Sequence, residues 1–443
     1  MNSKFKLALI ILAAVVVIIL AIVIISALTG GSEEGGDVSA PPVETSSTQT
    51  PDALQSTPPE ETPAESSTGA NTTTATIAVG GDIVMHSGLN TEALQSDGTY
   101  DYTPIFGVLP ELVSGADYAV CSLATTLVES GSAYMAYPLF RSPTSVADAV
   151  ASVGFDLVNT ATSHLADAWK DGIDYTLNTL EAAGLSHVGT YRTQDERTSS
   201  GNRTMVDVNG ISVAFLAYTC DTNNVPVSGF EYAASICATD YLTGGTSIDY
   251  ELMDAYISAA REAGADLVFV FMSWGTEFST EPSELQYEIA DNLISSGADV
   301  IIGGHCRVPQ PMEMRTVQRD DGTERSGFVC YSLGNLISCQ NDEYTDISAI
   351  LNLTITRDND TGVTRVTDVS YRPIYMADLY DYGINDYDWH YRVVDLHAAI
   401  DAWESGDNWE WITQDIYNDM AAALDDAHAL FGGEYDPEYT PEQ

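Results

Sequence analysis

Short runs of consecutive apolar residues alternate along the chain with longer stretches whose apolar positions recur every three to four residues. The first pattern reads as buried β-strand and the second as amphipathic helix. Strands are predicted at residues 76–79, 155–158, 211–218, 266–272, 299–302 and 328–333, with a further apolar segment at 115–120. Helices are predicted over 144–153, 171–184, 251–264 and 283–297, the last three stopped by Gly184, Gly264 and Gly297. Residues 347–356 and 363–371 flank the turn signal Asp358-Asn359-Asp360-Thr361-Gly362 and read as a hairpin. This β-α-β-α succession predicts an α/β sandwich with parallel strands. Residues 376–443 are acidic and carry Trp389, Trp403, Trp409 and Trp411; they read as a helical, peripheral extension.

The start of the chain follows a different pattern. Lys4 and Lys6 precede an unbroken apolar run over residues 7–25. A membrane-crossing helix needs about 20 such residues, and a cleaved signal has a shorter core and a small-residue cut site. Residues 1–30 are therefore expected to be an uncleaved signal anchor, with the lysines cytoplasmic and the bulk of the chain extracellular, single-pass in the cell membrane. Residues 31–74 are Ser, Thr, Pro, Glu and Gly with almost no large apolar side chain, the composition of a disordered spacer. The globular part is expected over 75–375, followed by the extension at 376–443.

Charge narrows the partners. Lys and Arg number 16 against 65 Asp and Glu, a formal charge of −49. Such a field repels phosphate backbones and anionic headgroups, which argues against a nucleic-acid partner. The six cysteines include no CxxC pair, so a zinc ribbon is not expected.

The candidate chemistry sits at predicted strand ends, where open α/β sheets bind ligands. Gly303 and Gly304 end the apolar strand 299–302, and His305, Cys306 and Arg307 follow, with Pro309 and Pro311 expected to stiffen a loop. Other polar residues fall at comparable positions: Asp82 and His86, Ser122, His164 and Asp167, Ser273, Trp274 and Glu277, and Asn335. Carboxylates and imidazoles converging from separate strands suit metal-assisted phosphoester or amide chemistry.

Taken in order, these segments resemble the bacterial capsule-synthesis family typified by CapA of poly-γ-glutamate biosynthesis. GDIVMH resembles its Gly-Asp motif, YPLFRSP at 137–143 its YPxFxxP segment, and TSHLADAWKDG its NHxxDxGxxG motif. Trp274-Gly275-Thr276-Glu277 resembles HWGTE, GGHCRVPQPME resembles GTHPHVLQPVE, and YSLGN at 331–335 matches outright. The resemblance implies a four-layer α/β/β/α sandwich like that of calcineurin-type metallophosphoesterases. It also implies an anchored protein working with other capsule-synthesis membrane proteins.

The departures fall on family ligand positions. Ser122 and Ala124 replace an Asn and a Glu, Ser163 an Asn, Ser273 a His, and Arg307 the second His of HPH. Asp82, His164 and His305 remain as candidate ligands for one divalent ion, Mn or Zn. Serine hydroxyls are weak ligands, and a guanidinium puts a fixed positive charge where an ion would sit. The pocket is thus expected to be metal-poor, with Arg307 clamping carboxylate or phosphate. Cys121 and Cys306 fall beside two altered positions, and either a disulfide between them or buried free thiols is expected.

Three functions follow. The first is a surface protein that binds an anionic polymer such as poly-γ-glutamate for synthesis, export or retention, using Arg307 with His86, Asp167, Ser122, Ser273, Trp274 and Asn335. The second is a non-catalytic scaffold. The third is a one-metal hydrolase in which His164, His305 and Glu277 carry the catalysis.

Overall fold

The computed structural model describes residues 71–407 and 409–441. The expected anchor (residues 1–30) and residues 31–70 of the expected spacer lie outside the described residues. The spacer's last residues, Thr72, Thr73 and Thr74, belong instead to the first strand, because their backbone pairs in register with Asp358, Arg357 and Thr356.

The strands, in chain order, are β1 (Thr72–Ile83), β2 (Tyr118–Leu123), β3 (Thr126–Leu127), β4 (Arg141–Ser142), β5 (Leu157–Asn159) and β6 (Ser186–Val188). Next come β7 (Thr204–Val208), β8 (Ile211–Thr219), β9 (Leu267–Ser273), β10 (Val300–Gly304), β11 (Pro309–Gln318) and β12 (Glu324–Leu333). The last are β13 (Asn335–Ile337), β14 (Ile347–Asp358), β15 (Thr364–Asp378) and β16 (Tyr391–Asp395). One large sheet runs β16-β15-β14-β1-β2-β5-β6 with β13 beside the end of β1; a second runs β11-β12-β10-β9-β8-β7.

Alternation along the strands builds the layers. Ile77, Val79, Val120 and Leu157 of the large sheet share one core with Val213, Phe215, Phe269, Val300 and Phe328 of the second. The intervening residues face outward. Ala78, Ala119 and Val158 pack with Val146, Val150 and Leu180 from helices Ser145–Val153 and Trp169–Ala182. On the far side Ala214, Val268, Val270 and Ile301 pack with Met253, Ile257, Ile289 and Leu293 from helices Tyr250–Glu262 and Glu284–Ser296. Helix, sheet, sheet and helix are thus stacked in four layers.

Two expectations need correction. Pro309 and Pro311 do not lie in a stiff loop; they open β11, an edge strand, where a missing N–H costs no interior pairing. The described residues of 376–443 are not peripheral. β16 pairs with β15, and Val394, Leu396, Trp411, Ile416, Met420 and Phe431 join the core between the sheets. The two helices here, Leu396–Ser405 and Gln414–Ala427, lay an apolar stripe over the inner face of β14 and β15 that the second sheet leaves uncovered.

Candidate functional site

β1, β2 and β5 run parallel in one sheet and β8, β9, β10 and β12 in the other, so Asp82, Ser122 and Asn159 meet Thr219, Ser273 and Gly304 at one edge. A cleft of about 830 Å³ opens there, lined among others by His86, Phe140, His164, Asp221, Glu277, His305 and Arg307.

The turn after β10 is shaped around Asp82. A Cβ on Gly304 would lie 2.8 Å from Asp82 Oδ1, so only glycine lets that carboxylate approach. His305 N–H donates to Asp82 Oδ2 at 2.8 Å. His305 and Arg307 hold φ of +83° and +68°, a left-handed conformation uncommon outside glycine. Such strain persists only where surrounding contacts impose it.

Arg307 is 2 % exposed. Its Nε donates to Glu277 Oε1 at 3.2 Å, its Nη1 lies 3.8 Å from Asp82 Oδ2, and Nη1 has no hydrogen-bond partner. An unmet buried donor of a charged group is costly. Glu277, by contrast, is 44 % exposed at its side chain and free to be displaced.

His164 is oriented from behind. Its Nδ1 lies 2.8 Å from Asp167 Oδ2, which also accepts the Phe140 N–H at 2.6 Å. An Nδ1–H aimed at Asp167 leaves Nε2 as the ring's lone-pair atom. Phe140 packs edge-on against both His164 and His86, with centroids 4.7 and 5.0 Å apart. Burial, reinforced by Arg307, lowers the His86 pKa to about 4, so this ring is neutral at physiological pH. Burial also depresses His305, whose Nε2 is 3.8 Å from Asp221 Oδ2 and whose Nδ1 is 3.3 Å from Ser163 Oγ.

Of the residues singled out from sequence, His86, His164, Glu277, His305 and Arg307 line the cleft, and Asp82 lies behind the His305 turn. The other five do not line it. Asp167 is fully buried and positions His164. Ser122 is buried and accepts from Asn159 Nδ2, and Ser273 is buried at the end of β9. Trp274 donates its indole N–H to the Tyr331 carbonyl and stacks on that ring, a core role. Asn335 is buried beside Asp82 and donates to Gln340 Oε1 and the Thr345 carbonyl. The expected Cys121–Cys306 disulfide is absent: both thiols are free, Cys121 in the outer core of the large sheet and Cys306 against the Trp274 carbonyl.

Tyr137, Phe140, Asp221 and Asn223 also line the cleft and were missed. The YPLFRSP segment carried a signal for the first two. Asp221 and Asn223 lie just beyond β8 in a stretch with no motif.

The donor set does not fit a pair of divalent cations. Ser122, Ser163 and Ser273 offer only hydroxyls at this edge, and the Arg307 guanidinium stands beside Asp82. Asp82, His164 and His305 also do not bring three ligand atoms within 4.8 Å of one another; among the described residues a set that does lies elsewhere.

A family model described as "Bacterial capsule synthesis protein PGA_cap" matches residues 76–340. Capsule biosynthesis protein CapA of Bacillus anthracis is 29% identical over 221 residues, 49% of this chain and 48% of that protein. PGA biosynthesis protein CapA of Bacillus subtilis is 30% identical over 218 residues, 49% of this chain and 51% of that protein. The match thus spans about half the length of these relatives. Among solved structures, a Mycoplasma pneumoniae phosphatase aligns over 68% of this chain and 94% of its own, at 11% identity and TM-score 0.35. The sulfate thiohydrolase SoxB of Thermus thermophilus aligns over 80% of this chain and 60% of its own, at 12% identity and TM-score 0.36.

Proposed function

This chain belongs to the bacterial capsule synthesis protein family PGA_cap, and from that premise we infer that its cleft binds carboxylates of an anionic capsular polymer such as poly-γ-glutamate. The observation that carries the reading is the buried Arg307 guanidinium with an unmet Nη1 donor. A polymer carboxylate displaces the exposed Glu277 side chain and takes one edge of the guanidinium, the bidentate geometry arginine favours. Backbone strain at Arg307 and the Asp82 carboxylate fix the direction of the clamp. The protein acts in synthesis, export or retention of the polymer without a chemical step of its own. Residues 1–30 anchor it in the membrane with the cleft outside, and other capsule-synthesis membrane proteins supply the chemistry.

Binding of oligo-γ-glutamate to the full chain tests this reading. Binding that weakens with added salt and is lost in Arg307→Ala supports it; equal binding by Arg307→Ala overturns it. Protease accessibility on intact cells tests the orientation.

A second reading has one observation behind it. The Asp167–His164 pair is oriented as a base or a metal-ligating imidazole is oriented. Under that reading His164, His305 and Asp82 hold one Mn or Zn ion and the protein is a hydrolase. Metal-dependent turnover abolished by His164→Ala, with stoichiometric metal in the parent, would establish it.

A further inference from the structure

Beyond the family-matched segment in sequence, two imidazoles and a carboxylate converge. His397 is the second residue of helix Leu396–Ser405, His428 opens the turn His428–Gly432, and Asp436 follows the short turn Gly433–Tyr435. Their ligand atoms all lie within 4.8 Å of one another. His397 Nε2 is 2.7 Å and His428 Nε2 is 2.8 Å from the same oxygen, Asp436 Oδ2. The other oxygen, Oδ1, accepts the Glu438 N–H at 2.9 Å, which fixes the carboxylate plane. His397 and Asp436 are buried and His428 is half-buried.

A further carboxylate stands beside His397. His397 has a carboxylate at each ring nitrogen: Asp436 Oδ2 at Nε2, and Glu438 Oε2 3.6 Å from Nδ1. A neutral imidazole has one N–H, so the second carboxylate needs either a second ring proton or a cation opposite it. A cation at Nε2 meets that need. Nδ1–H then donates toward Glu438, the carboxylate–histidine–metal arrangement that orients ligating histidines. Glu438 is itself held by Arg372, which also donates to Asp395.

We propose that His397, His428 and Asp436 bind one divalent transition cation of the zinc type. Two imidazoles select such an ion over magnesium or calcium, and three protein ligands leave a fourth position on the half-buried His428 side. The cation fastens the segment after Phe431 to the start of helix Leu396–Ser405. This joins the chain's last described residues to the layer that covers β14 and β15.

The test uses the full chain, stripped with chelator, dialysed and titrated with zinc chloride by calorimetry, with thermal unfolding in parallel. Expected are one zinc per chain, a raised Tm, and affinity lowered by more than about tenfold in His428→Gln and Asp436→Asn. Glu438→Gln, which removes no ligand, weakens binding by about tenfold. His428→Gln retains an N–H for Asp436 and sits on the accessible side, so its metal-free Tm should match the parent's. Cobalt substitution adds a spectroscopic readout: visible d–d absorption in the parent that is absent from His428→Gln. No stoichiometric binding overturns the proposal, as does zinc affinity unchanged in both ligand variants.

Discussion

Arg307 is held by two carboxylates of different freedom, and the difference decides what the cleft can do. Asp82 is buried and committed to the His305 N–H, whereas Glu277 is partly in solvent. Under the proposed function, Glu277 is the internal competitor of a ligand carboxylate. Glu277→Gln is expected to tighten oligo-γ-glutamate binding several-fold, because a charged competitor is lost while the site's shape is kept; calorimetry at fixed salt reads this directly. His86 supplies a second residue-level prediction. Its folded pKa of about 4 lies below the ordinary 6.5, so between those values the unfolded chain holds the extra proton. Stability must then fall as pH drops from 6.5 to 4, by about 3 kcal/mol from this group. Urea titrations across that range should show a shallower loss for His86→Gln than for the parent. The depressed His305 leaves part of the slope in place.

At the scale of elements, what could be read from the sequence depended on how far local pattern and tertiary role agreed. The helix at residues 283–297 was legible because Ser283 and Gln286 form a capping box and Gly297 closes the other end. Strands such as Ile211–Thr219 were legible as unbroken apolar runs, since a strand with helices on one side and a second sheet on the other is buried on both faces. β11 was not legible, because its two prolines argue against a strand anywhere but at an edge, and edge position is a tertiary fact. β16 was hidden among acidic and aromatic neighbours. The site behaved likewise. Motifs located the turn at His305 and Arg307, yet they do not say which side of the backbone a residue faces. Trp274 and Asn335 therefore read as ligand contacts although both turn inward. The helices Leu396–Ser405 and Gln414–Ala427 yield a prediction at this scale. A chain ending at residue 395 keeps β16 but bares Tyr371, Tyr375 and Leu379. It should lose cooperative thermal unfolding and bind a hydrophobic dye, while the parent does neither.

For the whole molecule, two sheets bring Asp82, His164 and His305 to one region of their shared edge, together with Ser122, Ser163, Ser273 and the Arg307 guanidinium. The molecule as a whole carries a formal charge of −49, so an anionic polymer meets repulsion over most of its surface. Under the proposed function, a single arginine at the base of the cleft gives register rather than bulk affinity, with carboxylates held one at a time at one place. Weak, salt-sensitive and position-specific binding is the expected behaviour, and it suits a polymer that must move.

The most direct measurement is a crystal structure of the protein grown with both manganese and a short γ-linked glutamate oligomer, with anomalous data to place any metal. The account predicts a ligand carboxylate across the Arg307 guanidinium, Glu277 turned to solvent and no manganese at Asp82. Two manganese ions bridged at Asp82, with Arg307 swung out of the cleft, would contradict it.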